Sequence, residues 1–254
     1  MKALITGASS GIGREMAYYL ASLGYDLILV ARRESRLKEI KKELNTSVEI
    51  IEMDLAIEAN LFKLYDLVKE QDIDMLINNA GFGLFGTFDK TDLKRELEMI
   101  DVNIKAYHVL TKLFLIDFIK KDKGIILNVA SSAGFLAGPG LSTYYATKNY
   151  VTKLSMAIYE ELRRMNSNVS ISILCPGPVE TEFNKVAKGV FATKALSAEY
   201  VAKYAINKTL KRKLIIIPTL KMKVALWLNR LVPWKISMYF VYNIQKKKQK
   251  GRDS

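Results

Sequence analysis

Three side chains with matched spacing could carry out a proton transfer. Tyr144 and Lys148 are four positions apart, and Ser131 precedes the tyrosine by thirteen positions. A free tyrosine has a pKa near ~10, so its use as an acid or base at neutral pH requires a shift of roughly three units, about 4 kcal/mol. A lysine ammonium at ~4 Å stabilises a phenolate by roughly 4 kcal/mol at an effective dielectric constant near ~20, and residues i and i+4 share one helix face. The spacing therefore predicts that Lys148 lowers the pKa of Tyr144.

Short aliphatic runs alternate with longer segments of helical period along the chain. We predict strands at Lys2 to Thr6, Asp26 to Ala31, Val48 to Met53, Met75 to Asn78, Ile125 to Ser131, Val169 to Leu174 and Leu214 to Pro218. Runs that are almost continuously apolar, with helices between them, are typical of a parallel sheet that is covered on both faces. Glycines at Gly24 and Gly124 mark predicted helix ends.

A glycine-rich loop follows the first predicted strand and leads into a helix. Its sequence is Thr6-Gly7-Ala8-Ser9-Ser10-Gly11-Ile12-Gly13. Glycines let the backbone approach a phosphate closely, and the helix N-terminus supplies free N–H groups and the positive end of its dipole. This context predicts a site for the pyrophosphate of a nucleotide.

The composition excludes several other kinds of site. Cys175 is the single cysteine and His108 the single histidine, so we expect no internal disulfide and no metal site. Met1 is followed directly by a predicted strand, which leaves no room for a secretory signal. We therefore expect a reducing, cytoplasmic location.

Positive charge is concentrated at the C-terminal end. Residues 1–202 carry 25 basic and 25 acidic side chains, whereas residues 203–254 carry 14 basic side chains and one acidic one, Asp253. Such asymmetry is typical of an added interaction surface. The segment contains no recognisable helix for reading bases and no motif for stacking on them, so we expect no nucleic-acid partner.

Taken in order, the motifs resemble those of the short-chain dehydrogenase/reductase family, in its compact single-domain branch. Besides the glycine loop they comprise Asn78 to Gly81, Asn103, Ser131, Tyr144 with Lys148, and Pro176 to Thr181. The similarity spans residues 2 to about 219. It implies an α/β fold with a single-domain, Rossmann-type, doubly wound parallel sheet of seven strands and helices on both faces. Residues 1–219 would form this catalytic domain and residues 220–254 a C-terminal helical extension.

The resemblance also implies roles for individual residues. Tyr144 would be the acid/base, Lys148 would lower its pKa and hold the nicotinamide ribose, Ser131 would bind the substrate oxygen, and Asn103 would hold a water in a proton relay. These four residues are called the tetrad below. Two neighbours are excluded from it, because only Tyr144 has a lysine at i+4 and only Ser131 has the family's separation from it. We expect these neighbours, Ser132 and Tyr145, to be packing residues or to lie behind the tetrad and support it.

The implied cofactor is a nicotinamide dinucleotide bound by loops after five strands. Its expected contacts, with Tyr144 and Lys148, are Gly7, Ser9, Ser10, Gly11, Ile12, Gly13, Arg32, Arg33, Asp54, Leu55, Asn79, Ala80, Gly81, Pro176, Gly177, Val179 and Thr181. Relatives that prefer NAD carry an aspartate where this chain has Ala31, and Arg32 follows it. A 2′-phosphate requires a cation there, so we expect NADP(H) to be preferred over NAD(H). The two arginines would also suit a solvated helix start.

The segment Phe183 to Ala198 resembles the family's variable substrate lid. Apolar residues expected to line the substrate pocket are Phe82, Leu84, Phe85, Phe135, Leu136, Leu141, Phe183, Val186, Val190 and Phe191. With no paired arginines among them, we expect a small apolar carbonyl or alcohol. A 3-oxoacyl thioester reductase of fatty-acid metabolism is an alternative, as is a non-catalytic NADP-binding sensor or scaffold. The helices around 103–120 and 145–164 imply a homodimer or homotetramer.

The C-terminal extension has two possible uses. The sequence predicts two apolar-rich helices, Leu220 to Leu231 and Trp234 to Gln245. Pro233 separates them, and a run of lysines follows the second. Charges interrupt every apolar run before the ~18 residues needed to span a bilayer. Aromatic side chains beside lysines suit peripheral contact with an anionic membrane. The same helices could instead cap the substrate pocket or a subunit interface.

Overall fold

A seven-stranded parallel sheet forms the centre of the computed structural model, which describes residues 1–183, 187 and 195–250. The strands are β1 (Lys2–Thr6), β2 (Asp26–Ala31), β3 (Val48–Glu52), β4 (Met75–Asn78), β5 (Ile125–Val129), β6 (Ser170–Leu174), β7 (Val179–Glu180), β8 (Leu196–Ser197) and β9 (Ile215–Ile216). The sheet order is β3-β2-β1-β4-β5-β6-β9, and β7 pairs with β8 separately. The predicted seven-stranded, doubly wound sheet is confirmed.

Helices connect the strands and continue beyond the last one. They are α1 (Gly11–Ser22), α2 (Glu34–Glu43), α3 (Glu58–Val68), α4 (Leu93–Ile100), α5 (Ala106–Lys121), α6 (Ser142–Arg164), α7 (Ala198–Leu210), α8 (Leu220–Asn229) and α9 (Trp234–Lys250). A π-helical turn, Asp101–Lys105, joins α4 to α5, and a 3-10 turn, Ser132–Phe135, follows β5. The side chains of Ser197 and Thr219 cap α7 and α8 by accepting hydrogen bonds from backbone N–H groups in the first turn.

Alternate residues of each central strand enter separate cores on the two faces of the sheet. In β1, Ala3 and Ile5 pack with residues of α1 and α7, whereas Leu4 packs with residues of α3 and α5. Successive side chains of a strand point to opposite faces, so both faces bury apolar area only when helices cover both. This explains why the strands read as continuous apolar runs.

The neighbouring strands β1 and β4 lie where the strand order reverses direction. Their C-terminal ends are joined by side-chain hydrogen bonds: Thr6 Oγ1 accepts from the backbone N–H of Asn79 at 2.9 Å, and Asn79 Nδ2 donates to the Thr6 carbonyl at 3.0 Å. A crevice forms in open α/β sheets at such a reversal, outside the carboxyl ends of the strands. The fold therefore places the loops after β1 and β4 beside the same opening.

Some local predictions are confirmed and others need adjustment. Gly24 follows α1 with φ of +80°, as expected for a glycine that ends a helix. The predicted fifth strand is too long: β5 ends at Val129, because Ser131 caps the 3-10 turn by accepting from the N–H of Ala133 at 3.2 Å. The β7–β8 pair was not predicted, since two-residue strands carry no readable periodicity.

The two C-terminal helices pack onto the domain through a few inward side chains. Leu226 of α8 joins a buried cluster with Tyr107, Cys175 and Ile217, and Val241 of α9 joins another with Phe85 and Tyr145. The opposite faces of both helices are exposed. None of the described helices is long and apolar enough to cross a membrane.

Candidate active site

A cavity of about 410 Å³ lies at the carboxyl edge of the sheet and brings together residues that are far apart in sequence. Of the predicted cofactor contacts, all except Gly13 line it. Ser131, Tyr144 and Lys148 also line it, whereas Asn103 lies behind its wall. The cavity therefore joins the glycine loop and the proton-transfer residues in one space.

The glycine loop forms a cradle that other residues would fill. Gly7 and Gly11 have φ of +65° and +56°, a conformation that favours glycine. A Cβ at Gly13 would lie 2.4 Å from Asn79 Nδ2 and 2.6 Å from the Gly7 carbonyl oxygen. Gly13 thus supports the loop from beneath, which explains its absence from the wall. An open backbone at the start of α1 fits a pyrophosphate group.

Arg33 contacts the glycine loop directly. Its guanidinium donates to Ser9 Oγ at 3.0 Å and to Ser10 Oγ at 2.9 Å, and it pairs with Glu182 at 2.8 Å. Hydrogen bonds from Arg33 and Arg36 lower the pKa of the Glu182 carboxyl to about 2. This places a permanent cation against the loop serines.

Arg32 points to the other side of the crevice. It pairs with Glu98 at 3.2 Å and approaches Asp54 at 3.9 Å. Ala31, the last residue of β2, is buried and offers no carboxylate. Both predicted arginines line the cavity, and Arg33 has the closer contact with the loop.

Helix α6 carries Tyr144 and Lys148 into the cavity from one face. The ammonium of Lys148 donates to the carbonyl oxygen of Val129 at 2.9 Å and lies 5.1 Å from the centre of the Tyr107 ring. Lys148 is only 4% exposed, and this burial lowers its pKa to about 8. Burial also raises the pKa of the Cys175 thiol, to about 12. This cysteine is therefore a buried thiol rather than a thiolate.

The pKa of Tyr144 differs in direction from the sequence-based expectation. Desolvation raises it above its ordinary value, and the nearby Ser131 hydroxyl opposes this effect without reversing it. The Lys148 ammonium lies 5.9 Å from the ring centroid instead of the ~4 Å assumed from helical spacing. The expectation of a net lowering of the Tyr144 pKa was wrong, because desolvation of the phenolate outweighs the stabilisation that an ammonium supplies at this distance.

Asn103 lies within the π-helical turn and is completely buried. Its Nδ2 donates to the Phe82 carbonyl at 2.9 Å and to Thr147 Oγ1 at 3.1 Å, while its Oδ1 accepts from the Phe82 N–H at 3.1 Å. The side chain therefore ties the loop after β4 to helix α6. Its role in a water relay stays a prediction.

Apolar and aromatic side chains form the remaining wall. Phe82, Phe85, Leu141 and Phe183 line the cavity as predicted, whereas Leu84, Phe135 and Leu136 do not. Val186, Val190 and Phe191 of the expected lid lie outside the described residues.

The lining residues that were not predicted include Ser132, Tyr145 and Gln245. Ser132 and Tyr145, expected to pack or to support the tetrad from behind, both line the cavity. Gln245 reaches it from α9 and donates from Nε2 to the Tyr145 hydroxyl at 2.6 Å. Gln245 and Tyr145 are 100 positions apart, and no sequence pattern relates residues so far from each other. The sequence analysis allowed this contact only through the alternative that the C-terminal extension caps the substrate pocket.

Sequence comparisons identify similar proteins. The family model described as short chain dehydrogenase matches residues 1–189. The NADP-dependent 3-hydroxy acid dehydrogenase of Schizosaccharomyces pombe is 40% identical over 192 residues, covering 72% of this chain and 73% of that protein. The very-long-chain 3-oxoacyl-CoA reductase of Rattus norvegicus is 29% identical over 194 residues, covering 73% of this chain and 62% of that protein.

Solved structures agree with the sequence matches. A short-chain dehydrogenase from Sphingobium yanoikuyae in complex with NADPH has a TM-score of 0.79 at 30% identity, covering 86% of this chain and 88% of that one. A short chain dehydrogenase/reductase from Burkholderia phymatum in complex with NAD has a TM-score of 0.83 at 25% identity, covering 90% and 92%. With both the sequence and the architecture in agreement, this chain belongs to the short-chain dehydrogenase/reductase family of oxidoreductases, whose members bind a nicotinamide cofactor.

Proposed function

We propose that the protein is an NADP(H)-dependent oxidoreductase that interconverts a carbonyl and a secondary alcohol, with Tyr144 as the acid/base. The observation that carries this proposal is the convergence of Ser131, Tyr144 and Lys148 on the cavity that also contains the glycine loop. A sensor or scaffold on the same fold would not need these side chains, and the chain retains the full tetrad.

The proposed mechanism assigns each side chain a separate task. A bound nicotinamide cofactor supplies or accepts the hydride. In reduction, Tyr144 donates its phenolic proton to the substrate oxygen, and Ser131 hydrogen-bonds the same oxygen. Lys148, fixed by the Val129 carbonyl, stabilises the phenolate that remains. Phe82 and Phe183 help to keep water away from the transfer.

The preference for NADP(H) is supported by charge at the end of β2. Ala31 supplies no carboxylate for a ribose 2′-OH, while Arg32 and Arg33 place two cations at the cavity wall. The S. pombe relative is named as NADP-dependent, and the S. yanoikuyae structure contains NADPH. Because the B. phymatum structure contains NAD, family membership alone does not decide the choice.

Two substrate classes are compatible with the residues that line the cavity. Its largely apolar lining favours an apolar ketone or secondary alcohol. Relatives named as a 3-hydroxy acid dehydrogenase and as 3-oxoacyl-CoA reductases support the alternative of a 3-oxoacyl thioester in lipid metabolism. The test is oxidation of NADPH, and separately of NADH, with ketones of graded length and with short 3-oxoacyl thioesters. Turnover of neither class would contradict the proposal.

A homodimer or homotetramer is proposed through α5 and α6. Apolar side chains on these helices, Ile116, Ile119 and Tyr150, are exposed in the single chain. An enzyme that sediments as a monomer at working concentration would contradict this proposal.

The outer face of the extension supports a proposal of peripheral contact with anionic membranes. Trp227, Trp234 and Phe240 are at least 60% exposed. The segment 220–246 contains basic side chains, among them Lys223 and Lys235, and no acidic ones. Aromatic rings favour the interface between water and lipid, and each nearby cation adds about 1 kcal/mol on an anionic surface.

Binding to vesicles tests this surface without removing the helices that close the cavity. We expect salt-sensitive cosedimentation with anionic vesicles, little with neutral ones, and loss of binding in a Trp227→Ser/Trp234→Ser/Phe240→Ser variant that keeps its activity. Failure to bind either vesicle would refute the proposal. A variant that becomes smaller by sedimentation, with unchanged vesicle binding, would assign the face to contact between subunits.

A further inference from the structure

The C-terminal helix places a polar group in an otherwise apolar part of the cavity. Gln245 is 2% exposed, and its inward neighbour on α9, Val241, packs with Phe85 and Leu141. Its amide nitrogen donates to the Tyr145 hydroxyl at 2.6 Å. Its amide oxygen is buried in the cavity wall and has no hydrogen-bond partner among the described residues.

A buried amide oxygen without a partner is unusual, because burial removes the water that would otherwise bind it. The Tyr145 hydroxyl retains its proton at neutral pH, since burial raises its pKa. With one amide N–H donating to Tyr145, the pair still offers an acceptor, Gln245 Oε1, beside two donors, the phenolic O–H and the second amide N–H. Rotating the amide by half a turn exchanges the two roles and leaves the count unchanged.

A donor beside an acceptor matches a hydroxyl group, which donates and accepts at once. A carboxylate only accepts, and would face the acceptor of the pair. The basic residues in the described cavity wall are Arg32, Arg33 and Lys148, and they contact Glu98, the loop serines and the Val129 carbonyl rather than this pair. The pair therefore suits an uncharged polar group.

We propose that Gln245 and Tyr145 form a second recognition site in the substrate cavity, which binds a neutral hydroxyl that the substrate carries in addition to its reacting carbonyl or alcohol. This inference rests on the proposed function and narrows its substrate class. Tyr144, Tyr145 and Gln245 line the same cavity, and the ring centroids of Tyr144 and Tyr145 lie 6.2 Å apart, so one substrate molecule can reach both the acid/base and this pair. The C-terminal extension thus contributes directly to specificity.

Paired substrates test the site in the full-length enzyme. Straight-chain methyl ketones and the same chains with an added terminal hydroxyl are compared by kcat/KM with NADPH. We expect the wild type to prefer the hydroxylated ketone at one chain length. Gln245→Met and Tyr145→Phe should each reduce this preference, the ratio of kcat/KM for the two ketones, by about tenfold. Ile244→Met, on the exposed side of the same helix turn, is the control.

The outcomes separate this site from the chemistry. A wild type that reduces both ketone series equally at all lengths overturns the inference and leaves the proposed function standing, and this comparison needs no variant to fold. A preference that survives in both variants also overturns it. Turnover of 3-oxoacyl thioesters but of no ketone would overturn this inference alone, and turnover of neither class would refute the proposed function and this inference together.

Discussion

Lys148 lies one helical turn from Tyr144, yet its ammonium bonds the carbonyl of Val129 and stays 5.9 Å from the centre of the tyrosine ring. Lys148 is buried and Tyr144 half-buried, and desolvation shifts their pKa values in opposite directions: the pKa of Tyr144 rises and that of Lys148 falls to about 8. Each shift favours the neutral form of its group. The arrangement therefore holds Tyr144 as a phenol, ready to donate a proton.

This pKa order predicts opposite pH profiles for the two directions. Ketone reduction needs the phenol and the Lys148 ammonium, so its kcat should be nearly constant from about pH 6 to 7 and fall as Lys148 loses its proton near pH 8. Alcohol oxidation needs the phenolate, so its rate should rise with pH between about pH 6 and 8. Initial rates in both directions measure this. A reduction rate that already falls between about pH 6 and 7 would show that another group controls protonation.

Tyr144→Phe should lower turnover by about 10²- to 10⁴-fold, because it removes the transferable proton and little volume. NADPH affinity, measured by fluorescence of the bound cofactor, should change little. Tyr150→Phe is the matched control, since this exposed tyrosine lies on the same helix. Comparable turnover in Tyr144→Phe and the wild type would rule out the acid/base assignment.

Lys148 should make stability depend on pH. Its pKa falls from 10.5 to about 8 on folding, so between these values the unfolded chain binds more protons than the folded one. Stability must then rise with pH across this window. Relative to Lys148→Met, the wild type should gain on the order of 3 kcal/mol between pH ~7 and ~10.5. Urea unfolding of both proteins at several pH values measures the difference; parallel curves would contradict the assigned shift.

Arg33→Ala should raise the dissociation constant for NADPH by about ten- to a hundredfold, because only NADPH presents a 2′-phosphate to the cation. NADH binding should change little. Arg32→Ala should act in the same direction but less, since Arg32 pairs with Glu98 rather than with the loop. Arg33→Ala also removes an ion pair with Glu182. Arg36→Ala, which removes the other ion pair of Glu182, is the control for that loss. Equal losses for both cofactors would assign Arg33 a structural role.

Gly13→Ala should strongly weaken binding of either cofactor. The added methyl would meet Asn79 Nδ2 at 2.4 Å and the Gly7 carbonyl at 2.6 Å, and so distort the loop. Gly24→Ala is the control, because its Cβ would meet nothing within 4 Å although its φ is positive. It should cost about 1 kcal/mol of stability and leave cofactor binding unchanged. Unaltered affinity in Gly13→Ala would contradict the proposed cradle.

Much of the architecture could be predicted from the sequence, because it depends on patterns within short segments. The apolar runs of β1 to β6 follow from burial on both faces of the sheet, and Gly7, Gly11 and Gly24 mark positions where the backbone requires positive φ. The order of the motifs indicated the family and the residues of the candidate tetrad. These features are encoded within short segments, so spacing alone reveals them.

Only the tertiary structure determines contacts between side chains that are far apart in the sequence. It reversed the expected pKa shift of Tyr144, since desolvation reflects the whole surrounding wall and helical spacing does not. It showed that the Asn103 side chain ties a loop to a helix, and that Arg33 contacts the glycine loop more closely than Arg32. It also brought Gln245 to Tyr145. Composition had identified an extension with an apolar side, but only packing could decide which side chains of that extension enter the cavity.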